Sequence, residues 1–278
     1  MYRSIAVGAG GTGSWQALSW SVEEAERTGS RLVLVHVCEP GSPLDRGDTE
    51  PAPAEVELVD PGLARALISV RARLGGRRAV LKVYSGDPAT RLVDASTGAG
   101  LLVIGAGGGD RTVRQIVRHA LCPVVIVRPG AAGTTDRTDR VVVGVDRSVA
   151  GRMALEFAAG FADQHRLPLT AVHVVEPGRE GRSPERIGPA DGPEFLAGVL
   201  QPWTAKYPGL AITPVVLPGP VADALIQAGH GAPLLVVGDK RRGAVGRIRT
   251  GDVPLTVTMD APCPVAVVPI DQREEVPW

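Results

Sequence analysis

Short, continuously apolar runs alternate along the chain with longer segments in which apolar residues recur every three or four positions. Val124–Val127, Leu234–Val237 and Val265–Val268 carry no polar residue, as expected of strands covered on both faces. In the first half the pattern predicts strands at Arg3–Val7, Arg31–Val37, Ala79–Tyr84, Leu101–Ile104 and Val124–Val127. Helices are expected at Ser14–Thr28, from about Glu55 to Leu74, from Asp87-Pro88 to about Thr97, and at Thr112–Ala120, with a proline-rich loop from Pro40 to Pro53. The second half repeats the plan. Its strands fall near Val141–Val145, Leu169–Val175, Ile212–Leu217, Leu234–Val237 and Val265–Val268, and its helices near Ala150–His165, Gly192–Lys206, Val221–Gly229 and Asp252–Asp260. Apolar strands alternating with helices imply parallel sheets with right-handed crossovers.

Three phrases recur in the same order. IAVGAGGTGS (Ile5–Ser14) is answered by VVVGVDRS (Val141–Ser148), LVLVHVCEP (Leu32–Pro40) by LTAVHVVEP (Leu169–Pro177), and LCPVVIVRP (Leu121–Pro129) by PCPVAVVPI (Pro262–Ile270). Two half-chains of one design follow, a domain at 1–129 and a domain at 140–278, joined by a Gly/Thr/Asp-rich linker at 130–139. Each half reads as a five-stranded doubly wound α/β unit.

The stretch from Leu234 to Val268 carries the chemistry. A buried strand stops at Gly238, a loop with Lys240, Arg241, Arg242, Arg247 and Arg249 follows, and Gly251-Asp252 precedes a helix. Loops after the carboxyl ends of parallel strands, facing helix amino termini, are where anions sit, because unpaired N–H groups and the helix dipole point there.

This spacing, with the doubled H-V-x-E-P and C-P-V phrases and the V-G-V-D-x-S at Val143–Ser148, resembles the universal stress protein family, whose nucleotide loop is written G-x2-G-x9-G-[S/T]. The resemblance covers nearly the whole chain and implies two Rossmann-like, doubly wound five-stranded parallel-sheet domains forming an intrachain pseudo-dimer. It implies ATP or another adenine nucleotide, with magnesium, bound without turnover in the second domain: Val145, Asp146 and Ser148 near the base, Gly238 and Gly251 at the phosphates, and Lys240, Arg241 and Arg242 supplying charge. Arg241 stands in place of the second glycine and Asp252 in place of the hydroxyl residue.

Other readings stand beside these. Asp146 can cap the following helix through its carboxylate as well as meet a ligand. Asp252 puts a carboxylate near phosphate, where like charges about 4 Å apart cost roughly 4 kcal/mol at an effective dielectric of about 20. The neighbouring arginines and the helix amino terminus oppose that cost, or one arginine pairs with Asp252 and fills the pocket. From Gly105 to Cys122 is 17 positions (122 − 105), against 25 from Gly238 to Cys263 (263 − 238). The first half therefore lacks the end of the loop, and its site is expected to be degenerate. Gly8, Gly10 and Gly13 spell a dinucleotide fingerprint with Glu39 at the next strand's end. Glu176 holds the matching place in the second half without those glycines, so the acid belongs to the repeat.

Composition narrows the classes further. The 278 residues carry 30 basic and 30 acidic side chains, so no global field favours nucleic acid or an anionic membrane. MYRSIAVGAGG lacks the apolar core of a signal peptide, no apolar run approaches the roughly 20 residues that span a bilayer, and a cytoplasmic protein is expected. Cys38, Cys122 and Cys263 form no metal-ligand pattern and are expected as packed thiols; His36 and His173, flanked by valines, are expected as core histidines with one hydrogen bond. No catalytic constellation is legible and no metal is expected; the alternatives to nucleotide sensing are a nucleotide-independent scaffold for a regulatory partner and, behind it, an NAD-binding (nicotinamide) oxidoreductase using the Gly8, Gly10 and Gly13 fingerprint. Homodimerisation is left open.

Overall fold

The computed structural model describes residues 2–11, 13–46, 49–128, 138–176, 192–240 and 252–270. The chain divides into two compact units, Met1–Pro129 and Gly130–Trp278.

The first unit runs β1 (Ser4–Gly8), α1 (Ser14–Thr28), β2 (Arg31–Cys38), α2 (Pro53–Val59), α3 (Pro61–Leu74), β3 (Ala79–Ser85), α4 (Pro88–Ser96), β4 (Leu101–Gly105), a 3-10 turn (Ala106–Gly108), α5 (Asp110–His119) and β5 (Val124–Val127). The second runs β6 (Val141–Gly144), α6 (Val149–His165), β7 (Leu169–Val175), α7 (Pro193–Lys206), β8 (Ile212–Pro218), α8 (Val221–Ala228), β9 (Leu235–Asp239), α9 (Val253–Asp260) and β10 (Val265–Pro269). Strand order is β3-β2-β1-β4-β5 in the first unit and β8-β7-β6-β9-β10 in the second, and the pairings within each unit are parallel. Each unit is thus doubly wound, as the repeat predicts.

The apolar runs lie in strands covered on both faces, as the pattern implies, so their side chains do not face water. Ile5, Leu101, Leu102 and Ile126 are sealed in the first unit, and Val141, Val142, Leu235 and Val236 in the second. A fully buried side chain of this size contributes about 1.5–3 kcal/mol. The strand β8 differs, since Pro214 sits within it opposite Ala171 and most of its residues are half-buried or exposed. A proline removes a ladder donor and is tolerated at a sheet margin, which is where β8 lies in its unit.

The helix expected from Glu55 to Leu74 is two helices. Pro61 brings no N–H to a continuing helix, and Asp60 turns the chain instead, its Oδ1 accepting a hydrogen bond of 2.9 Å from the Leu63 N–H. Several strands reach one residue further than the apolar runs, because glycine or a polar residue at a carboxyl end still pairs: Val268 with Gly238, Pro269 with Asp239. Cys122 and Cys263 are buried free thiols pushed up by burial to about 12, while Cys38 is half-buried and donates to the Tyr84 carbonyl at 3.4 Å. Most of the predicted linker, 130–137, lies outside the described residues.

In each unit the chain leaves the first strand on one side and returns on the other, so the order reverses between β1 and β4 and between β6 and β9. In open parallel sheets such a reversal is where ligands bind, beyond the carboxyl ends of the strands.

Candidate functional site

The second unit's crevice begins where β6 ends. Val145 is buried, its N–H donates to the Val172 carbonyl at 2.8 Å, and its own carbonyl lies 2.8 Å from His173 Nδ1. A carbonyl only accepts, so Nδ1 carries the hydrogen and the His173 tautomer is set by this turn. The first unit repeats the brace atom for atom. Ala9 N–H donates to the Val35 carbonyl at 2.8 Å, and His36 Nδ1 lies 2.8 Å from the Ala9 carbonyl. The doubled His-Val phrase is therefore a structural device, a ring on the second strand holding the turn after the first. Phe195 from α7 packs on His173 at 4.7 Å between centroids, and the Arg147 guanidinium lies 4.7 Å over the same Phe195 ring.

Asp146 follows Val145. Its Oδ1 accepts from the Ser148 N–H at 3.0 Å and from the Ser148 hydroxyl, whose oxygen in turn accepts from the Gly151 N–H at 3.1 Å. Ser148, not Asp146, is the N-cap of α6. This corrects the expectation that the carboxylate caps: Asp146 lies two residues before the N-cap position and instead orients the serine that fills it. Its second oxygen, Oδ2, pairs with Lys240 Nζ, and the two side chains are 41% and 34% exposed. Burial pushes the Asp146 carboxyl upward, but the Lys240 ammonium and the Ser148 hydroxyl and N–H outweigh burial and hold it below the usual carboxylate range.

Lys240 is the residue after β9, so the ion pair spans the strand ends on either side of the reversal in order. Gly238 lies two residues earlier. A Cβ added there would come within 3.0 Å of Ala150 Cβ and closer still to the Ala150 carbonyl. At the corresponding Gly105 a Cβ would sit 3.0 Å from the Ser14 N–H nitrogen and closer to the Gly13 carbonyl. The first glycine of the loop spacing thus lets the fourth strand of each unit pass against the start of its first helix, whatever it does for a ligand. Gly151 has a similar constraint, since its added Cβ would meet Asp146 Oδ1 and lie 3.0 Å from the Asp146 backbone N and O.

Of the residues expected at the site, Val145, Asp146, Ser148, Gly238 and Lys240 come together here. Arg241, Arg242 and Gly251, with Arg247 and Arg249, lie outside the described residues, and with them the expected pairing of Asp252 with one of these arginines. Asp252 occupies the N-cap position of α9, which begins at Val253 with Pro254 in its first turn. The Asp252 carbonyl accepts from the Thr256 N–H at 2.9 Å and the Thr256 hydroxyl at 3.2 Å, but the carboxylate makes no capping bond. The Lys240–Asp146 pair was not among the contacts expected from the sequence. Its one hint is that Lys240 is among only three lysines in a chain rich in arginine. In the first unit, a Cβ on Gly13 would lie 3.1 Å from the Gly107 nitrogen, so the turn after β4 rests on the start of α1. Among the described residues no group of His, Cys, Asp and Glu could hold a metal ion, and no helix is long and apolar enough to cross a membrane.

A chain of two doubly wound parallel α/β units, each reversing its strand order between its first and fourth strands, belongs to the broad class of tandem Rossmann-like proteins. Within that class the model of the universal stress protein family matches residues 1–128 and again 137–269, and the chain belongs to that family. It is 29% identical over 272 residues to universal stress protein Rv2623 of Mycobacterium tuberculosis, covering 90% of this chain and 91% of that one. A universal stress protein of Mycolicibacterium smegmatis is 27% identical over 273 residues, covering 91% and 92%. The crystal structure of a universal stress protein from Archaeoglobus fulgidus superposes with a TM-score of 0.70 at 17% identity, covering 98% of this chain and 97% of that one, a likeness of fold.

Proposed function

We propose that the second unit binds ATP or another adenine nucleotide, with magnesium, and that the chain acts as a cytoplasmic regulatory protein of the stress response that does not turn the nucleotide over. The observation that carries this reading is the Lys240–Asp146 pair across the ends of β6 and β9. It brings an anion-binding ammonium and a donor-seeking carboxylate together at the point of strand reversal, where ligands of open parallel sheets bind. Because both side chains are more than a third exposed, the pair itself is worth about 1 kcal/mol or less and is readily exchanged for a ligand. In this reading Asp146 faces the base, Val145 and Ser148 frame it, Lys240 moves to phosphate, and Gly238, Arg241, Arg242, Gly251 and Asp252 complete the phosphate end. The test is calorimetric titration of the full chain with ATP and magnesium in low salt. Saturable heat, with unchanged nucleotide recovered afterwards, supports the reading; no heat and no change in melting temperature at millimolar ATP ends it.

A second reading has the same pair as its support. Lys240 and Asp146 already satisfy each other, as they would in a unit that serves as a scaffold for a partner protein and takes no nucleotide. A blank titration favours this reading. The nicotinamide reading of Gly8, Gly10 and Gly13 loses support, because the turn at Gly107 approaches the start of α1, where a pyrophosphate would sit.

A further inference from the structure

The ion pair at the crevice also bears on which ligands the site accepts. The Lys240 ion pair bridges the two strand ends, and its partner is not an incidental surface carboxylate. Asp146 is held through both oxygens: Ser148 donates N–H and O–H to Oδ1, which fills the space a Cβ on Gly151 would take, and Lys240 takes Oδ2. The carboxylate therefore keeps its place when Lys240 leaves. An anion arriving alone must draw Lys240 away and leave Asp146 with one oxygen uncompensated beside it. A neutral base arriving alone must displace Lys240 from Oδ2 and leave the ammonium without its counter-ion. Only a ligand that brings an N–H donor to Oδ2 and an anionic group to Lys240 replaces both halves of the pair at once.

We infer that the Lys240–Asp146 pair is a built-in competitor that makes the site favour ligands carrying a hydrogen-bond donor and a polyanion on one molecule over either part alone. This rests on the nucleotide reading for the identity of the preferred ligand, but the competition for Lys240 stands without it. Within the pair Asp146 plays the part of phosphate toward Lys240, and Lys240 plays the part of the base's amino group toward Asp146.

The probe that separates the two is inorganic tripolyphosphate, which has no base. Asp146→Asn keeps the side chain's shape and removes its charge, so Lys240 is released. Calorimetry on the full chain at low salt should show tripolyphosphate binding to Asp146→Asn about fivefold tighter than to the parent, the range of a half-exposed pair plus the lost repulsion. In a Lys240→Gln background the same Asp146→Asn change should gain much less, because the cation it frees is gone. Circular dichroism checks that each variant is folded, and Asp146→Ser serves if Asp146→Asn is not. The inference is overturned if removing the carboxylate leaves tripolyphosphate binding undetectable at millimolar concentration or no tighter than in the parent. It is equally overturned if the gain persists undiminished without Lys240, which would make it general electrostatics. Loss of the nucleotide reading looks different: ATP would then bind the parent no tighter than tripolyphosphate does, whatever the variants show.

Discussion

Replacing Gly151 by alanine sets two opposed effects against each other, and the structure decides which prevails. In a helix interior, alanine is favoured over glycine by about 1 kcal/mol. Gly198, in α7, shows that gain undisturbed: it is exposed, and a Cβ there meets nothing within 4 Å. Gly198→Ala should therefore raise the melting temperature of the second unit by about 2–4 °C. Gly151 sits in the first turn of α6, and its Cβ would meet Asp146 Oδ1 as well as the Asp146 backbone N and O at 3.0 Å. The obstacle is backbone held by the Val145–His173 brace, which does not swing aside as the end of a flexible side chain would. Overpacking of this kind costs about 1–3 kcal/mol, and losing the bonds between Asp146 and Ser148 costs about 1 kcal/mol more. The expected net is a loss of roughly 1–3 kcal/mol after the propensity gain is subtracted. Urea unfolding followed by circular dichroism, with parent, Gly198→Ala and Gly151→Ala side by side, measures both signs. If Gly151→Ala proves as stabilising as Gly198→Ala, the packing account of Asp146 is wrong.

The close approach of strand to helix makes a second pair of expectations. Gly238→Ala and Gly105→Ala should each destabilise their own unit by about 1–3 kcal/mol or more, whereas Gly76→Ala, whose Cβ meets nothing within 4 Å, should be nearly neutral in the same unfolding assay; tolerance at Gly238 would return that glycine to a purely ligand-related role. Acid should also weaken the Asp146 contribution in a defined direction. Its folded pKa is lowered, so its stabilisation is fully present above the ordinary carboxylate value and is lost as pH falls through the lowered one. The stability difference between parent and Asp146→Asn should hold from about pH 7 to 5 and shrink below about pH 4; a difference that grows on acidification contradicts the pairing with Lys240.

Much of the architecture was legible beforehand because it is written in local periodicity. Continuous apolar runs mark strands that will be covered on both faces, and the repeated phrases mark two copies of one unit. Where the prediction failed, the cause was local too. The break between α2 and α3 was signalled by Asp60-Pro61, but the amphipathic pattern on either side runs on through it and hides the stop.

The site divides differently. The family resemblance of the sequence marked Val145, Asp146, Ser148, Gly238 and Lys240 as residues of one site, at the ends of the first and fourth strands of the unit. Which of these touch, and to what end, was settled only by tertiary structure. Ser148 takes the cap, Gly238 makes room for Ala150, and Lys240 pairs with Asp146 across 94 residues of chain (240 − 146). Pairing at that separation depends on strand twist, helix approach and the space each glycine leaves, none of which has a period a sequence can display. Residue type determines what a side chain is able to do; packing determines which of its partners it meets.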